Sequence, residues 1–384
     1  MFSYMRPVPC CFPRFFSSSV GWRGACRYES IPDSSLMRIA LIHYQLKRGG
    51  GMESYLVDLI RGFAAAGDDV DVWTRARDDA FAAGLPAVPR RVRVPPLPRL
   101  FRNRAFSHAV ERLRLVEHYD LVLSLARTVG QDVFISGGDH RGFLQATHKR
   151  PTLKDRYEVR LEARALEQSR VVIAHSKRLK QEYETLYGCD GSRIHVVYPP
   201  VDVTRFIRAE DHQRQMERER LGLHADEFAF LFPSTGHERK GLPALLEAFS
   251  RLEVPPARLL IAGRAARVGT DARIRSLGYV NDMPALYSAV DCTVLPSIYE
   301  PFGLVIAESL QCGTPTITAA DSGVAELMEA GDGLRLEDCS APTILEALQK
   351  MLEGNRGRPE SGWAVRHGLA VEAHIAQLRQ LCQR

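Results

Sequence analysis

The chain has 384 residues, enough for about two domains of ordinary size, and 45% of them are hydrophobic and 25% charged. These values exclude a peptide hormone, a short adaptor and a disordered or collagen-like chain. The net charge of +5 is unevenly divided: residues 1–200 hold 31 Lys and Arg against 21 Asp and Glu, and residues 201–384 hold 20 against 25. The basic half predicts an anionic partner, namely nucleic acid, membrane head groups or a phosphorylated acceptor, although a merely soluble basic surface has the same composition.

Residues 1–36 contain Pro, Cys and Arg, with no acidic residue before Glu29 and no helical or strand periodicity. We predict that they form an extension outside the fold, produced by an over-long gene start ahead of Met37. An organelle transit peptide is the alternative, because such peptides contain Arg and Ser and few acidic residues.

The eight cysteines form no C-x2-C pair, so neither a zinc framework nor a dense disulfide scaffold is indicated. The longest run without Asp, Glu, Lys or Arg, 309–320, is shorter than the roughly 20 apolar residues that a membrane-spanning helix needs. We expect a protein of the reducing cytoplasm, with peripheral attachment to the inner face of the cytoplasmic membrane as a further hypothesis.

From Met37 onward, short apolar runs alternate with longer amphipathic ones, which predicts a parallel sheet with crossover helices. Strands are predicted over 38–43, 70–74, 121–125, 133–136, 171–174 and 195–198, with a helix over 52–66. Pro199 and Pro200 then interrupt the pattern, because proline donates no hydrogen bond and restricts the residue before it. We therefore predict a first doubly wound domain over 37–199 and a linker at the two prolines.

A second alternating series follows the prolines. Leucines and one phenylalanine within 242–252 are spaced by three and four residues, so this helix has one apolar face. The fold class is therefore α/β, with a second Rossmann-like domain over 200–362 and a carboxyl-terminal helix over 363–384 that is expected to pack back on the first domain. The predicted strands of this domain are 228–232, 258–262, 274–279, 292–295 and 316–318.

A glycine-rich loop, KRGGGME over 47–53, follows the first strand and opens a helix. Free backbone N–H groups at such a helix start attract anions, and Gly50 and Gly51 allow a ligand close to the main chain. The loop lacks both G-x-G-x-x-G and the Walker pattern, so a plain tight turn is an equal reading.

Two adjacent cations, Arg239 and Lys240, lie in the loop GHERKGL over 236–242, between a strand and the amphipathic helix. Ligands of doubly wound domains bind at this carboxyl edge of the sheet. A guanidinium and an ammonium group together suit a diphosphate, although a solvated pair of cations is the plainer reading.

The segment over 296–313, PSIYEPFGLVIAESLQCG, has the pattern of a strand end, a loop, a helix and a glycine stop. Glu300 lies in the loop and Glu308 lies among apolar residues of the helix, where an unpaired carboxylate would cost several kcal/mol. About 10 Å of helix separates them, with free N–H groups between. A nucleotide sugar has hydroxyls at both ends and phosphates between them, which matches this arrangement. The alternative interpretation is one Glu at the surface and one Glu that interacts with the helix dipole near the amino terminus.

The order of these motifs resembles the retaining GT-B glycosyltransferases of family 4, also called glycosyl transferases group 1. The resemblance covers 37–384 and is strongest over 228–330, where Ala-Gly-Arg at 262–264, Gly-Tyr-Val at 278–280 and Gly-Thr-Pro at 313–315 flank the segments above. It implies a GT-B fold, in which two Rossmann-like domains face each other across a cleft, with the donor domain at the carboxyl side and the acceptor domain at the amino side.

The resemblance also implies roles for individual positions. Glu300 would bind the transferred sugar and Glu308 the ribose. In the acceptor domain Asp139 or His140, which follow the strand at 133–136, would contact the sugar or the attacking hydroxyl. The remaining donor-binding positions are Arg239 and Lys240 at the diphosphate, Phe302, Gly303, Leu304 and Val305 with their backbone amides, Gly50 and Gly51 across the cleft, and Arg264 and Tyr279 near the base.

One departure from the family pattern lies downstream, where Ser322 stands in the place of a family glycine before Glu326. Such enzymes need no cofactor and no divalent metal, because cations and helix N–H groups neutralise the leaving diphosphate. Retention of anomeric configuration is implied, by same-face attack or through a short-lived covalent intermediate. The Asp-x-Asp pattern of Asp69 and Asp71 could suggest a metal site, but we assign it to an edge of the acceptor domain.

A basic stretch over 88–114 holds eight Arg against one Glu, interleaved with Leu and Phe. This pattern is typical of docking on anionic lipid, although a solvated face is the plainer reading. Nucleic acid is not expected, because no reader motif accompanies the charge. The predicted partners are a nucleotide sugar, with UDP-sugar favoured over GDP-sugar, and a glycan or glycolipid acceptor. The resemblance extends loosely to hexosyltransferases of the lipopolysaccharide core. Capsule and exopolysaccharide glycans are equal alternatives as acceptors.

Two other classes remain as alternatives. A catalytically silent sugar-nucleotide-binding protein would keep the same donor site, and a nicotinamide-dependent oxidoreductase could also be built from two Rossmann domains. The absence of G-x-G-x-x-G after the first strand of either domain argues against the oxidoreductase.

Overall fold

The computed structural model describes residues 36–253, 257–354, 359–360 and 362–382. The predicted extension over 1–36 and its alternative as a transit peptide therefore lie outside the described residues, apart from Leu36. The rest of the chain, Leu36–Arg384, is one compact unit.

The amino-terminal half contains a parallel sheet of seven strands within the described residues, in the order β5-β3-β1-β6-β7-β8-β9. Two further short strands, β2 and β4, pair with each other. The strands are β1 (Arg38–Ile42), β2 (Gln45–Leu46), β3 (Asp69–Thr74), β4 (Ala76–Arg77), β5 (Val88–Arg91), β6 (Leu121–Ser124), β7 (Val133–Ser136), β8 (Val171–Ala174) and β9 (Ile194–Val196).

Helices cover both faces of this sheet, because successive side chains of a strand point to opposite faces. In β1, Ile39 and Leu41 pack with one group of core residues, whereas Ala40 and Ile42 pack with another. The helices are α1 (Gly51–Ala65), α2 (Asp79–Ala82), α3 (Arg99–Val116), α4 (His140–Ala146), α5 (Leu153–Gln168) and α6 (Lys177–Tyr187), and a 3-10 turn covers Gly191–Arg193.

The carboxyl-terminal half contains a second parallel sheet, of six strands within the described residues, in the order β12-β11-β10-β13-β14-β15. Its strands are β10 (Phe228–Ser234), β11 (Ala257–Gly263), β12 (Ile274–Gly278), β13 (Cys292–Leu295), β14 (Thr316–Ala319) and β15 (Gly333–Leu336). Its helices are α7 (Asp211–Arg220), α8 (Leu242–Ser250), α9 (Met283–Ala289), α10 (Leu304–Gln311), α11 (Ala341–Glu353) and α12 (Trp363–Arg366), with a 3-10 turn at Gly323–Glu326.

The last helix, α13 (Val371–Cys382), leaves this half and packs on α1. Ile375 lies so close to Gly62 that a Cβ there would be 2.6 Å from its Cγ1. The hydroxyl of Tyr55 and Nε2 of His374 are 2.8 Å apart, which adds a buried polar contact. The domain limits over 37–199 and 200–362 stay predictions.

The structure confirms the α/β fold with two Rossmann-like sheets, and it corrects the position of β3. The segment with Asp69 and Asp71 is not at an edge, because β5 pairs with it on the outer side. The sequence pattern missed β5, since Pro89 and two arginines interrupt its apolar residues. Proline is tolerated there because β5 is itself an edge strand.

None of the helices in the described residues combines the length and apolar character needed to cross a membrane. The most basic of them, α3, has one buried stripe that includes Phe106 and Val110.

Candidate active site

A cleft of about 370 Å³ lies where the carboxyl ends of the two sheets meet. Residues from both halves line it, and the predicted Glu300, Arg239, Asp139 and His140 are among them. The other predicted site residues are not part of this lining, namely Gly50, Gly51, Lys240, Arg264, Tyr279, Phe302, Gly303, Leu304, Val305 and Glu308.

Glu300 lies between the two predicted cations. Its Oε2 is 3.4 Å from Nη1 of Arg239 and 4.0 Å from Nζ of Lys240. Burial lowers the pKa of Lys240, and the nearby Glu300 opposes that shift. The two loops are also joined through their backbones, because the N–H of Ile298 donates to the Arg239 carbonyl at 2.9 Å. One carboxylate thus faces two cations, which leaves a positive surplus.

A glycine makes this close approach of the loops feasible. Gly241 has φ +83°, and a Cβ at this position would lie 2.0 Å from the carbonyl oxygen of Pro296. Any other residue would push the loop with Arg239 away from the loop with Glu300.

The amino terminus of α10 points its N–H groups at the same region. Gly303 precedes the helix at φ +103°, and no side chain of the described residues caps it. The N–H groups of Leu304 and Val305 have no carbonyl one turn before them, so they are available to an anion. Phe302 is buried and packs against Tyr198, with ring centroids 5.8 Å apart.

Glu308 is half-buried in α10, and the hydroxyl of Tyr287 donates to its Oε2 at 2.9 Å. Burial raises the pKa of Glu308 to about 7, although Tyr287, Arg205 and Lys240 act in the opposite direction. Asp58 of α1 has a pKa of about 7 as well, through burial and then through Asp202 and Glu308. Sequence reasoning missed Tyr287 and Asp58, because no local motif relates either residue to Glu308.

Asp139 caps the helix that follows it, α4. Its carboxylate accepts from the N–H groups of Arg141 and Gly142 at 2.8 and 3.0 Å, so it is the amino-terminal cap of α4. Burial, and then Glu162, raise its pKa to about 7. His140 lies beside it, with Nε2 3.0 Å from Oδ1 of Asp155. Of these two side chains, only that of Asp139 caps the helix, and that of His140 does not.

The remaining predicted residues lie around the cleft. Gly50 donates its N–H to Glu53 at 3.0 Å, and a Cβ on Gly51 would lie 3.6 Å from Leu304, so this loop faces α10. Arg264 is exposed and its side chain donates to the Thr235 carbonyl, and Tyr279 is 74% exposed. Both are accessible to a ligand, and neither contacts Glu300 or Glu308 in an observed hydrogen bond or ion pair.

The two halves are joined beside the cleft by Glu326. Its carboxylate accepts from the N–H groups of Lys177 and Arg178 at 2.9 and 3.0 Å and from the hydroxyl of Tyr198 at 2.8 Å. The tight backbone position is Gly323, where a Cβ would be 2.3 Å from the Pro301 carbonyl oxygen. Ser322, in the place of the family glycine, has an ordinary φ of −73° and is accommodated without strain.

Tyr299 makes a second contact between the halves. Its hydroxyl donates to Glu182 at 2.7 Å and accepts from the N–H of Asp139 at 3.0 Å. Because Tyr299 precedes Glu300, this contact fixes the loop with Glu300 against the start of α4. No sequence motif indicated this contact, apart from the position of Tyr299 next to Glu300.

Residues 213–361 match the family model described as glycosyl transferases group 1, and residues 49–205 match that of glycosyltransferase family 4. A Burkholderia thailandensis protein named "Probable transglycosylase" is 38% identical over 352 residues, which cover 90% of this chain and 96% of the relative. The chain belongs to the family 4 glycosyltransferases.

Two solved structures share the GT-B fold of this glycosyltransferase. WaaG, a glycosyltransferase involved in lipopolysaccharide biosynthesis, has a TM-score of 0.71 at 19% identity and covers 89% of this chain and 96% of its own. HepE of Anabaena, solved in complex with UDP-glucose, has a TM-score of 0.70 at 20% identity and covers 90% and 98%. Within the described residues, no group of three or more His, Cys, Asp or Glu is placed to hold a metal ion.

We expect Glu326→Ala to loosen the closed arrangement of the glycosyltransferase. The change removes the acceptor of two N–H groups at the start of α6, which costs about 1–2 kcal/mol, and small-angle scattering should give a larger radius of gyration. The exposed Glu329, three residues further on, provides Glu329→Ala as the control. Identical scattering from Glu326→Ala and the wild type would contradict this role.

We expect Glu308→Gln to stabilise the glycosyltransferase above pH 7 and to change little near pH 4.5. The carboxyl has its raised pKa of about 7 only in the folded state. Its favourable contribution is therefore complete below about pH 4.5 and is lost as the pH rises through 7, by about 3 kcal/mol. Denaturant unfolding from pH 4.5 to 8 measures this, with the exposed Glu247→Gln as control. A stability gain that is independent of pH would refute the assignment.

Proposed function

We propose that this glycosyltransferase moves a hexose from a nucleotide-diphosphate sugar to a glycan or glycolipid acceptor with retention of configuration. The observation that carries the proposal is the position of Glu300 beside two cations and near the uncapped start of α10. A UDP-sugar is the favoured donor, supported by the UDP-glucose complex of HepE, and a GDP-sugar is the alternative.

The donor diphosphate would lie between Arg239, Lys240 and the N–H groups of Leu304 and Val305. These groups neutralise the charge that develops on the leaving diphosphate, so no metal ion is needed for that task. Glu300 would accept hydrogen bonds from hydroxyls of the transferred sugar, and Glu308 from the ribose.

The other positions complete the donor site. The backbone of Phe302 and Gly303 would approach the sugar or the distal phosphate, and Gly50 and Gly51 would approach the phosphate from the acceptor half. Arg264 and Tyr279 would flank the base, for which their exposure leaves room.

In the transfer step, the bond from C1 of the hexose to the phosphate oxygen breaks and a bond from C1 to the acceptor oxygen forms on the same face. The proton of the acceptor hydroxyl moves to the leaving phosphate oxygen. His140, oriented by Asp155, would contact the sugar or the attacking hydroxyl, whereas Asp139 would act through its position as the cap of α4. A short-lived covalent intermediate is the alternative route.

Glu300→Gln should lower turnover more than donor binding, because a carboxylate that contacts the reacting sugar acts most strongly in the transition state. We expect kcat for UDP release to fall about a hundredfold while the Kd for UDP changes less than about threefold. Glu308→Gln should instead weaken nucleotide binding. Glu247→Gln is the control for loss of an acidic charge.

The donor screen for this experiment uses UDP-, GDP- and ADP-sugars with acceptor extracts, and calorimetry gives the binding constants. Wild-type kinetics and binding in both variants would refute the site. Donor binding without nucleotide release, for any donor and acceptor, would favour the silent binding protein.

We also propose that the acceptor half docks on an anionic membrane surface. Arg99, Arg102 and Arg104 of α3 are exposed, as is Lys154 at the start of α5. The rings of Phe101 and Tyr157 lie 5.7 Å apart and join the two helices into one surface, and Leu153 is 69% exposed on it. A cell-surface glycolipid acceptor is consistent with this surface, and lipopolysaccharide core, capsule and exopolysaccharide glycans are equal alternatives for it.

Replacing Arg99, Arg102 and Arg104 together by Gln should weaken binding to anionic vesicles more than tenfold, since each basic group near a charged surface contributes about 1 kcal/mol. Vesicle sedimentation at low and high salt measures this. The control replaces three exposed cations of the other half, Arg220, Arg251 and Lys350. Binding that ignores lipid charge and salt would rule out the docking surface.

A further inference from the structure

The two walls of the cleft carry opposite charge balances. On the donor wall, Glu300 is within ion-pair distance of both Arg239 and Lys240, beside the free N–H groups of α10. Glu308 is a second carboxylate that attracts Lys240. We define the acceptor wall as the cleft residues His43, Tyr44, Arg127, His140 and Phe143, which all come from the amino-terminal half.

Arg127 is the central cation of the acceptor wall, and two carboxylates neutralise it. Its Nε is 3.0 Å from Oε1 of Glu162, and its Nη1 is 3.6 Å from Oε2 of Glu158. The Glu162 side chain is fully buried, and its other oxygen accepts from the N–H of His140 at 2.8 Å. Arg127 is therefore oriented from behind and brings no uncompensated charge to the cleft.

Each of the two histidines of the acceptor wall also lies beside a carboxylate, Glu53 for His43 and Asp155 for His140. Nε2 of His43 lies 3.8 Å from Glu53, and this imidazole is the main cause that lowers the pKa of Glu53. Burial would raise the pKa of Asp155, but hydrogen bonds from Thr152 and His140 lower it to about 2, so it stays ionised.

One further cation lies behind the acceptor wall. Arg75 stacks on the Tyr44 ring at 4.9 Å and donates to Asn103, which in turn donates to Glu158. The wall and its backing thus combine two guanidinium groups and two imidazoles with four carboxylates. Lys149 is exposed on the outside, 5.5 Å from the centroid of the Phe143 ring, where water screens its charge.

The acceptor wall also has unfilled hydrogen-bonding capacity beside aromatic surface. Nδ1 of His43, in a side chain that is 8% exposed, has no hydrogen-bond partner among the described residues. A buried polar atom of this kind is normally matched by a ligand or by water. Tyr44 and Phe143 supply ring surface, and Arg127 supplies N–H groups to the same cleft. Apolar faces with a few polar groups are typical of a pocket for a small ligand.

We infer that the acceptor wall binds an uncharged, hydroxyl-bearing sugar ring and discriminates against a phosphorylated one. This inference rests on the proposed function, whose acceptor it specifies. A phosphate group carries up to two negative charges. The basic groups that it would reach on this wall are already paired with carboxylates directly behind them. On the donor wall, the same group meets a positive surplus. The charge balance thus directs phosphate to one side of the cleft and neutral sugar to the other.

The test compares methyl glucoside, methyl galactoside and methyl mannoside with their 6-phosphates by saturation-transfer NMR on the UDP-loaded protein. We expect each phosphorylated sugar to bind at least about tenfold more weakly than its neutral counterpart. Glu158→Gln removes one carboxylate behind Arg127 and keeps the shape, so it should narrow that difference several-fold. Glu247→Gln removes an exposed carboxylate far from the wall and should leave the difference unchanged.

Two outcomes would overturn the inference: a phosphorylated sugar that binds the wild type as tightly as its neutral counterpart, or no binding by any of the three neutral glycosides. The wild-type comparison stands even if Glu158→Gln fails to fold. Failure of UDP to bind would count against the proposed function instead, and the sugars would then be compared on the nucleotide-free protein.

Discussion

The cleft depends on the contact between the carboxylate of Glu326 and the start of α6. A helix amino terminus has unsatisfied N–H groups, and here the acceptor comes from the other half of the chain. When the two halves pack together, the N–H groups at the start of α6 therefore bind the carboxylate of Glu326, and both would otherwise be hydrogen-bonded to water. Gly323 allows the approach, and Tyr299, next to Glu300, adds hydrogen bonds to Asp139 and Glu182 of the other half.

This closure brings together two walls of opposite charge balance. On the donor wall, Arg239 and Lys240 share one ion-pair partner, Glu300, whereas on the acceptor wall Arg127 is paired with two carboxylates. Part of the basic surplus of residues 1–200 lies in the exposed arginines of α3 and in the exposed Lys154 at the start of α5, none of which lines the cleft. The proposed membrane attraction and the proposed substrate selection are thus assigned to different surfaces of the same domain.

The site also contains groups that oppose folding. Glu308 and Asp58 are carboxyls whose pKa values burial raises to about 7, so holding them ionised at neutral pH costs stability. A ligand with hydroxyl groups would offset that cost at Glu308, where Tyr287 already supplies one hydrogen bond. Buried carboxyls of this kind are common where binding, not stability, has determined the residue.

The sequence by itself determined the alternation of strands and helices, the two-sheet fold, and the two separate loops that contain Arg239 and Glu300, because periodicity and short loops are properties of neighbouring residues. It missed β5, where Pro89 breaks the apolar pattern, and it gave no sign of the partners of Arg127, His43 or Glu326. Those pairs join residues that are distant in the chain or lie on separate elements, and their geometry follows from side-chain packing. The charge balance of each wall was therefore decided only by the tertiary structure, since a count of charges along the chain carries no information about which carboxylate faces which cation.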